Sequence, residues 1–173
     1  PALRLPTARP QSQQHDPAPA DLPNISDDAI ITSRALMQEA NLAARAGEHQ
    51  TAIERLRAAA RLTSDNPDIY HRLAALYTDQ GQMEQACIQL ERVCALDSDY
   101  PDIYLELAQA YNRLNRFADS LATLQRALRK RAYREHSEVL RSLAMAHYKL
   151  GHYDQAIQAL DNAQKIAYDP KLA

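Results

Sequence analysis

The chain has 173 residues, room for one compact domain or a short solenoid. Its 20 Lys and Arg are balanced by 22 Asp and Glu, which excludes a global electrostatic pull toward nucleic acid or an anionic membrane. Three glycines, no tryptophan and many Ala, Leu, Gln, Arg and Glu favour an all-α chain. No apolar run approaches the roughly 18 residues of a membrane span, so no direct membrane insertion is expected. No apolar segment of the signal-peptide kind lies near residue 1. The first residue is Pro1 rather than Met, so the chain reads as a fragment or a processed form.

Residues 1–25 hold six of the nine prolines, with Gln, Ala and Ser between them. No helical or strand periodicity survives there, which predicts an extended linker. A docking Pro-x-x-Pro core is absent, because Pro6 and Pro10 miss that spacing by one residue. Ser26 followed by Asp27 and Asp28 reads as a helix start, a capping hydroxyl with two carboxylates in the first turn. The helix is expected over about 27–46 and ends at Gly47, the residue type that most readily takes a left-handed terminal conformation.

From Gly47 the sequence repeats. Gly81 follows after 34 residues, Asn115 after another 34 and Gly151 after a further 36. Five residues beyond each stands a small residue: Ala52, Ala86, Ser120 and Ala156. Nine beyond stands Leu56, Leu90, Leu124 or Leu160, and twelve beyond Ala59, Val93, Ala127 or Ala163. Offsets of five, nine and twelve share one helical face. Upstream, Leu73-Ala74, Leu107-Ala108 and Leu143-Ala144 keep the same register, flanked by Tyr70, Tyr104 and Leu140 and by Tyr77, Tyr111 and His147. The pattern predicts first helices over 27–46, 67–80, 101–114 and 136–150. It predicts second helices over 49–63, 83–97, 117–133 and 153–167, the third of these longer or followed by a looser turn.

The phased elements Tyr70-x₂-Leu73-Ala74-x₂-Tyr77 and Ala86-x₃-Leu90, with their copies from Tyr104 and Leu140, resemble the tetratricopeptide repeat family. The first copy departs most, with Glu39 where a Leu is usual and Ala43 where a Tyr is usual. The resemblance implies a right-handed α-α superhelix, a solenoid of four helix-turn-helix repeats at about 33–66, 67–100, 101–134 and 137–170. The domain is expected over 26–168, and residues 169–173 are a tail or the start of a further repeat. Gln164 stands where Ala60, Cys94 and Leu128 stand earlier, which predicts that the last helix faces water on its outer side.

No phosphate-binding glycine loop, His-Glu-x-x-His, Cys-x-x-Cys or Gly-x-Ser-x-Gly occurs, so no enzyme chemistry, cofactor or metal is expected. Cys87 and Cys94 on one helix would be separated by about 10 Å, beyond the roughly 4.4–6.8 Å that a disulfide tolerates; packing is their expected role. Arg126, Arg129, Lys130, Arg131 and Arg134 lack an aromatic set for stacking and read as a basic helix end rather than a nucleic-acid site.

In the family, first helices line a groove that receives a peptide or a partner helix. The resemblance places in it Asn41 and Arg45, then His71, Arg72 and Asp79, then Gln109, Asn112 and Arg113, then Arg141, Met145, Tyr148 and Lys149. Met37 and Leu105 are expected to face it too. A clamp for a chaperone carboxylate is rejected, since Asp102 and Glu106 would repel that ligand. The expected function is non-catalytic binding of another protein. Two alternatives are an adaptor domain that recruits substrates for a larger enzyme or an export or assembly machine, and a scaffold that self-associates through its terminal repeats. The compartment stays open: free cysteines slightly favour the cytoplasm, against a periplasmic or membrane-tethered chain with a further N-terminal segment.

Overall fold

The computed structural model describes residues 26–100, 102–130, 133 and 136–168. The expected linker over 1–25 and the tail over 169–173 lie outside them. Eight helices follow in order: α1 (Asp27–Arg45), α2 (His49–Leu62), α3 (Pro67–Asp79), α4 (Met83–Leu96), α5 (Ile103–Arg113), α6 (Phe117–Leu128), α7 (Ser137–Lys149) and α8 (Tyr153–Ala167). Each packs on the next, and α5 also reaches α7. Contacts confined to neighbours in this way define a solenoid.

Local chemistry sets the helix ends. The Ser26 hydroxyl accepts the Ala29 amide and starts α1. The Asn66 side chain accepts the Asp68 amide at 3.0 Å, and Pro67 follows at the first helical position, where a missing N–H costs nothing. The turns inside the pairs all close alike. Gly47, Gly81, Asn115 and Gly151 take positive φ, with Asn115 at 57°. The next residue's amide then bonds back to a carbonyl five positions earlier: Glu48 to Ala43, Gln82 to Tyr77, Arg116 to Tyr111 and His152 to His147. Glycine and asparagine reach this left-handed conformation at the least steric cost.

Packing then follows the small-residue positions. Ala40, Ala74, Ala108 and Ala144 of the first helices and Ala52, Ala86, Ser120 and Ala156 of the second are all buried. Without long side chains between them, paired backbones approach closely and large neighbours fill the flanks. Two tyrosines also tie the second and third pairs to the ones before. The Arg57 guanidinium donates to the Tyr77 hydroxyl at 2.7 Å. One period later the Tyr111 hydroxyl donates to the Glu91 carboxylate.

Two helix limits differ from expectation. The third first-helix begins at Ile103 rather than 101, because Asp102 is left-handed at φ 53°. The third second-helix stops at Leu128 instead of reaching 133. Tyr133 instead folds back into the core and packs edge-on against Tyr104, with centroids 5.8 Å apart. The guanidinium of Arg126 and the ammonium of Lys130 lie over the Tyr104 ring at 5.5 and 5.7 Å, and Lys130 also pairs with Asp99. Part of the basic stretch is thus engaged within the fold; Arg131 and Arg134 lie outside the described residues.

Candidate functional site

The first helices α1, α3, α5 and α7 carry all twelve residues expected in the groove. Seven of them line two depressions. His71, Asp79, Gln109 and Arg113 come together around a depression of about 290 Å³ between α3, α4 and α5. Its lining also includes Ala74, Ala75, Ala110 and Leu90. Arg141, Met145 and Tyr148 line a different pocket, shared with α8. Lys149 lies over the Phe117 ring at 6.0 Å, and Arg45 is exposed in the last turn of α1. Met37 and Leu105, expected to face the groove, are buried in the core. At that repeat position the apolar side chains are buried, whereas the polar His71 stays half-buried.

Several of these side chains bind each other across repeats. The Arg72 guanidinium donates to the Asn41 amide oxygen, joining α1 to α3. His71 Nε2 lies 2.9 Å from a Glu106 carboxylate oxygen, joining α3 to α5. Beside it the Tyr100 hydroxyl donates to Asp68 at 2.8 Å, and the His71 and Tyr100 rings sit 5.1 Å apart. Burial and this bond to Asp68 push the Tyr100 phenol up to about 12. Sequence reasoning missed Tyr100 as a neighbour of His71, because its position falls in the loop between repeats.

Glu106 holds the His71 imidazolium above its ordinary value, and partial burial opposes the shift without reversing it. A raised pKa in the folded state favours folding fully below the unfolded value. That contribution fades as pH rises through the folded value. The native chain is therefore expected to lose thermal stability relative to a His71→Gln variant as pH rises above the ordinary imidazole value of about 6.5. Melting curves of both chains on either side of that value check it; parallel curves would show that the pair does not couple to folding.

Other polar groups in the depression stay unused. Among the described residues, Asp79 and Gln109 make no hydrogen bond or ion pair. Arg113 has only a 3.9 Å contact to the Met83 sulfur. The Asn112 amide oxygen is buried with no partner. No group of three or more His, Cys, Asp or Glu among the described residues is placed to hold a metal, and no described helix is long and apolar enough to cross a membrane. Cys87 and Cys94 are buried and unpaired, and burial raises both thiols, Cys94 to about 11. Thiols so far from ionisation are packing residues rather than nucleophiles.

Fold and site together define a helical repeat module that presents side chains for recognition. A family model described as "TPR repeat" matches residues 40–81 and 76–115, and a second, "Tetratricopeptide repeat", matches 105–170. The chain belongs to the tetratricopeptide repeat family. Among solved structures it is similar to MamA AMB-1, at TM-score 0.72 and 18% identity over 86% of this chain and 81% of that one. A structure titled "MamA 41-end from Desulfovibrio magneticus RS-1" has TM-score 0.67 and 16% identity, covering 82% and 77%. At such identities the likeness concerns the fold. No curated protein matches the sequence.

Proposed function

We propose that the chain is a non-catalytic protein-binding module and that an extended peptide or a partner helix lies in the depression between α3 and α5. The supporting observation is the group of uncommitted polar side chains, Asp79, Gln109 and Arg113, in a depression whose lining includes three alanines. Small lining residues let a backbone come close, and amide and charged groups beside them supply its hydrogen bonds. The ties Arg72–Asn41 and His71–Glu106 hold the neighbouring helices in fixed register, so the groups are ordered before a partner arrives. An immobilised chain is expected to capture a reproducible set of proteins from a lysate of its source. The triple variant Asp79→Ala, Gln109→Ala, Arg113→Ala is expected to lose most of that set while keeping its helix content. Unchanged recovery would place binding on another surface.

A further inference from the structure

Two histidines are brought together by a turn rather than by sequence spacing. His147 stands in the last turn of α7 and His152 caps the start of α8, with Gly151 between them. On one continuous helix, residues five apart point about 140° away from each other. Here Gly151 takes φ 77°, and the His152 amide donates to the His147 carbonyl at 2.9 Å. The chain reversal sets the two Nδ1 atoms 3.4 Å apart, with ring centroids at 5.6 Å.

The same place in other pairs holds other chemistry. Tyr77 with Gln82, and Tyr111 with Arg116, occupy the two positions in the second and third pairs. The Arg116 guanidinium lies over the Tyr111 ring at 4.6 Å. The residue after the turn is exposed in all four pairs: Glu48, Gln82, Arg116 and His152. Three of these stand in pairs that another pair follows, so access to this place does not depend on what lies beyond α8. Arg57 and Glu91 meet Tyr77 and Tyr111 from the preceding second helix, and the neutral Gln125 stands at that repeat position before His147. Burial, and then repulsion from His152, hold the His147 imidazole below its ordinary value. At neutral pH it therefore presents a ring lone pair, the form in which histidine binds metals.

The separation of the two nitrogens selects a geometry. Zinc bonds imidazole nitrogen at about 2.0–2.1 Å, so two such ligands at a tetrahedral angle stand about 3.4 Å apart. Ligands at right angles, as in square or octahedral sites, stand about 2.9 Å apart. The Nδ1 atoms are already at the tetrahedral separation, and small rotations of the two rings aim both lone pairs at one ion.

We propose that His147 and His152 hold a zinc ion between their Nδ1 atoms, with two further positions open to water or to a donor group of a bound molecule. In the hydrogen-bonded pair one ring carries its proton on Nδ1; with zinc bound, both rings carry it on Nε2. Among the described residues no third His, Cys, Asp or Glu joins the two rings. The site is thus an open one, unlike structural zinc sites with four protein ligands, and it is separate from the depression between α3 and α5.

The test titrates zinc into the whole chain and follows the imidazole nitrogens by NMR. The Nδ1 resonances of His147 and His152 are expected to move together to metal-bound positions and to saturate at one ion per chain, with both Nε2 atoms protonated. Competition with a chromophoric chelator gives the affinity, which His147→Asn or His152→Asn is expected to weaken at least about tenfold. Circular dichroism verifies that both variants keep their helix content. The proposal is overturned if neither resonance moves at about 1 mM zinc, if the shift is confined to one ring, or if both variants bind zinc as tightly as the native chain.

Discussion

Leu124→Ala is expected to lower the unfolding free energy by about 2–5 kcal/mol, whereas Leu160→Ala, at the same repeat position, lowers it by less than about 1 kcal/mol. The two leucines follow their turn residues by nine positions and sit on the same face of α6 and α8. Leu124 is 0% exposed in a cluster with Val139 and Leu143 of α7, and Leu160 is 50% exposed. Truncating Leu124 removes transfer energy and leaves a cavity between three helices, which packed neighbours fill only partly. It also weakens the contact between the third and fourth pairs, on which a solenoid's stability rests. Truncating Leu160 removes a half-solvated side chain that no described helix covers. Urea unfolding at constant denaturant slope measures both. Equal losses would mean that Leu160 is covered in solution.

Ser120→Ala is expected to stabilise the chain by about 1–3 kcal/mol. Ser120 takes the small-residue position that Ala52, Ala86 and Ala156 take in the other pairs, and it is fully buried with no hydrogen-bond partner for its hydroxyl. A buried hydroxyl that gives up water without gaining a partner carries its full desolvation penalty. Alanine keeps the close approach of α5 and α6 and removes the polar atom. A rise in the thermal midpoint without a change in helix content is the expected record. A fall would show that the hydroxyl is satisfied in solution by a bound water. The contrast is Ser33, also buried, whose hydroxyl lies 2.5 Å from that of Thr63, so that Ser33→Ala strips a partner from Thr63 and is expected to destabilise.

Much of the fold was legible because a solenoid is local. Each helix packs on its neighbours in sequence, so a period of small, leucine and aromatic positions carries the architecture directly. Gly47, Gly81, Asn115 and Gly151 marked the turns because their backbone conformation excludes most other residues. The end of α6 was not legible. Arg129, Lys130 and Arg131 have good helix propensity, yet the chain leaves the helix at Leu128 and sends Tyr133 back onto Tyr104, a gain in burial that propensity cannot register. The left-handed Asp102 was hidden for the same reason, since local preference alone continues the helix from Pro101.

The candidate site was legible as positions and not as a site. Helical spacing distinguished outward from inward residues on the first helices, but Met37 and Leu105 are buried in the core while His71 stayed half-buried. Which polar groups neutralise one another, Arg72 with Asn41 and His71 with Glu106, depends on distances across repeats that sequence does not carry. The sequence by itself determined the all-α repeat fold, its period and the residues at each turn, because those follow from backbone stereochemistry and side-chain size within about 34 residues. Only the tertiary structure decided that His71, Asp79, Gln109 and Arg113 share a polar depression while Arg141, Met145 and Tyr148 line an apolar pocket with α8. Exposure at a repeat position depends on whether another helix lies over it, as the same leucine buried in α6 and bare in α8 makes plain.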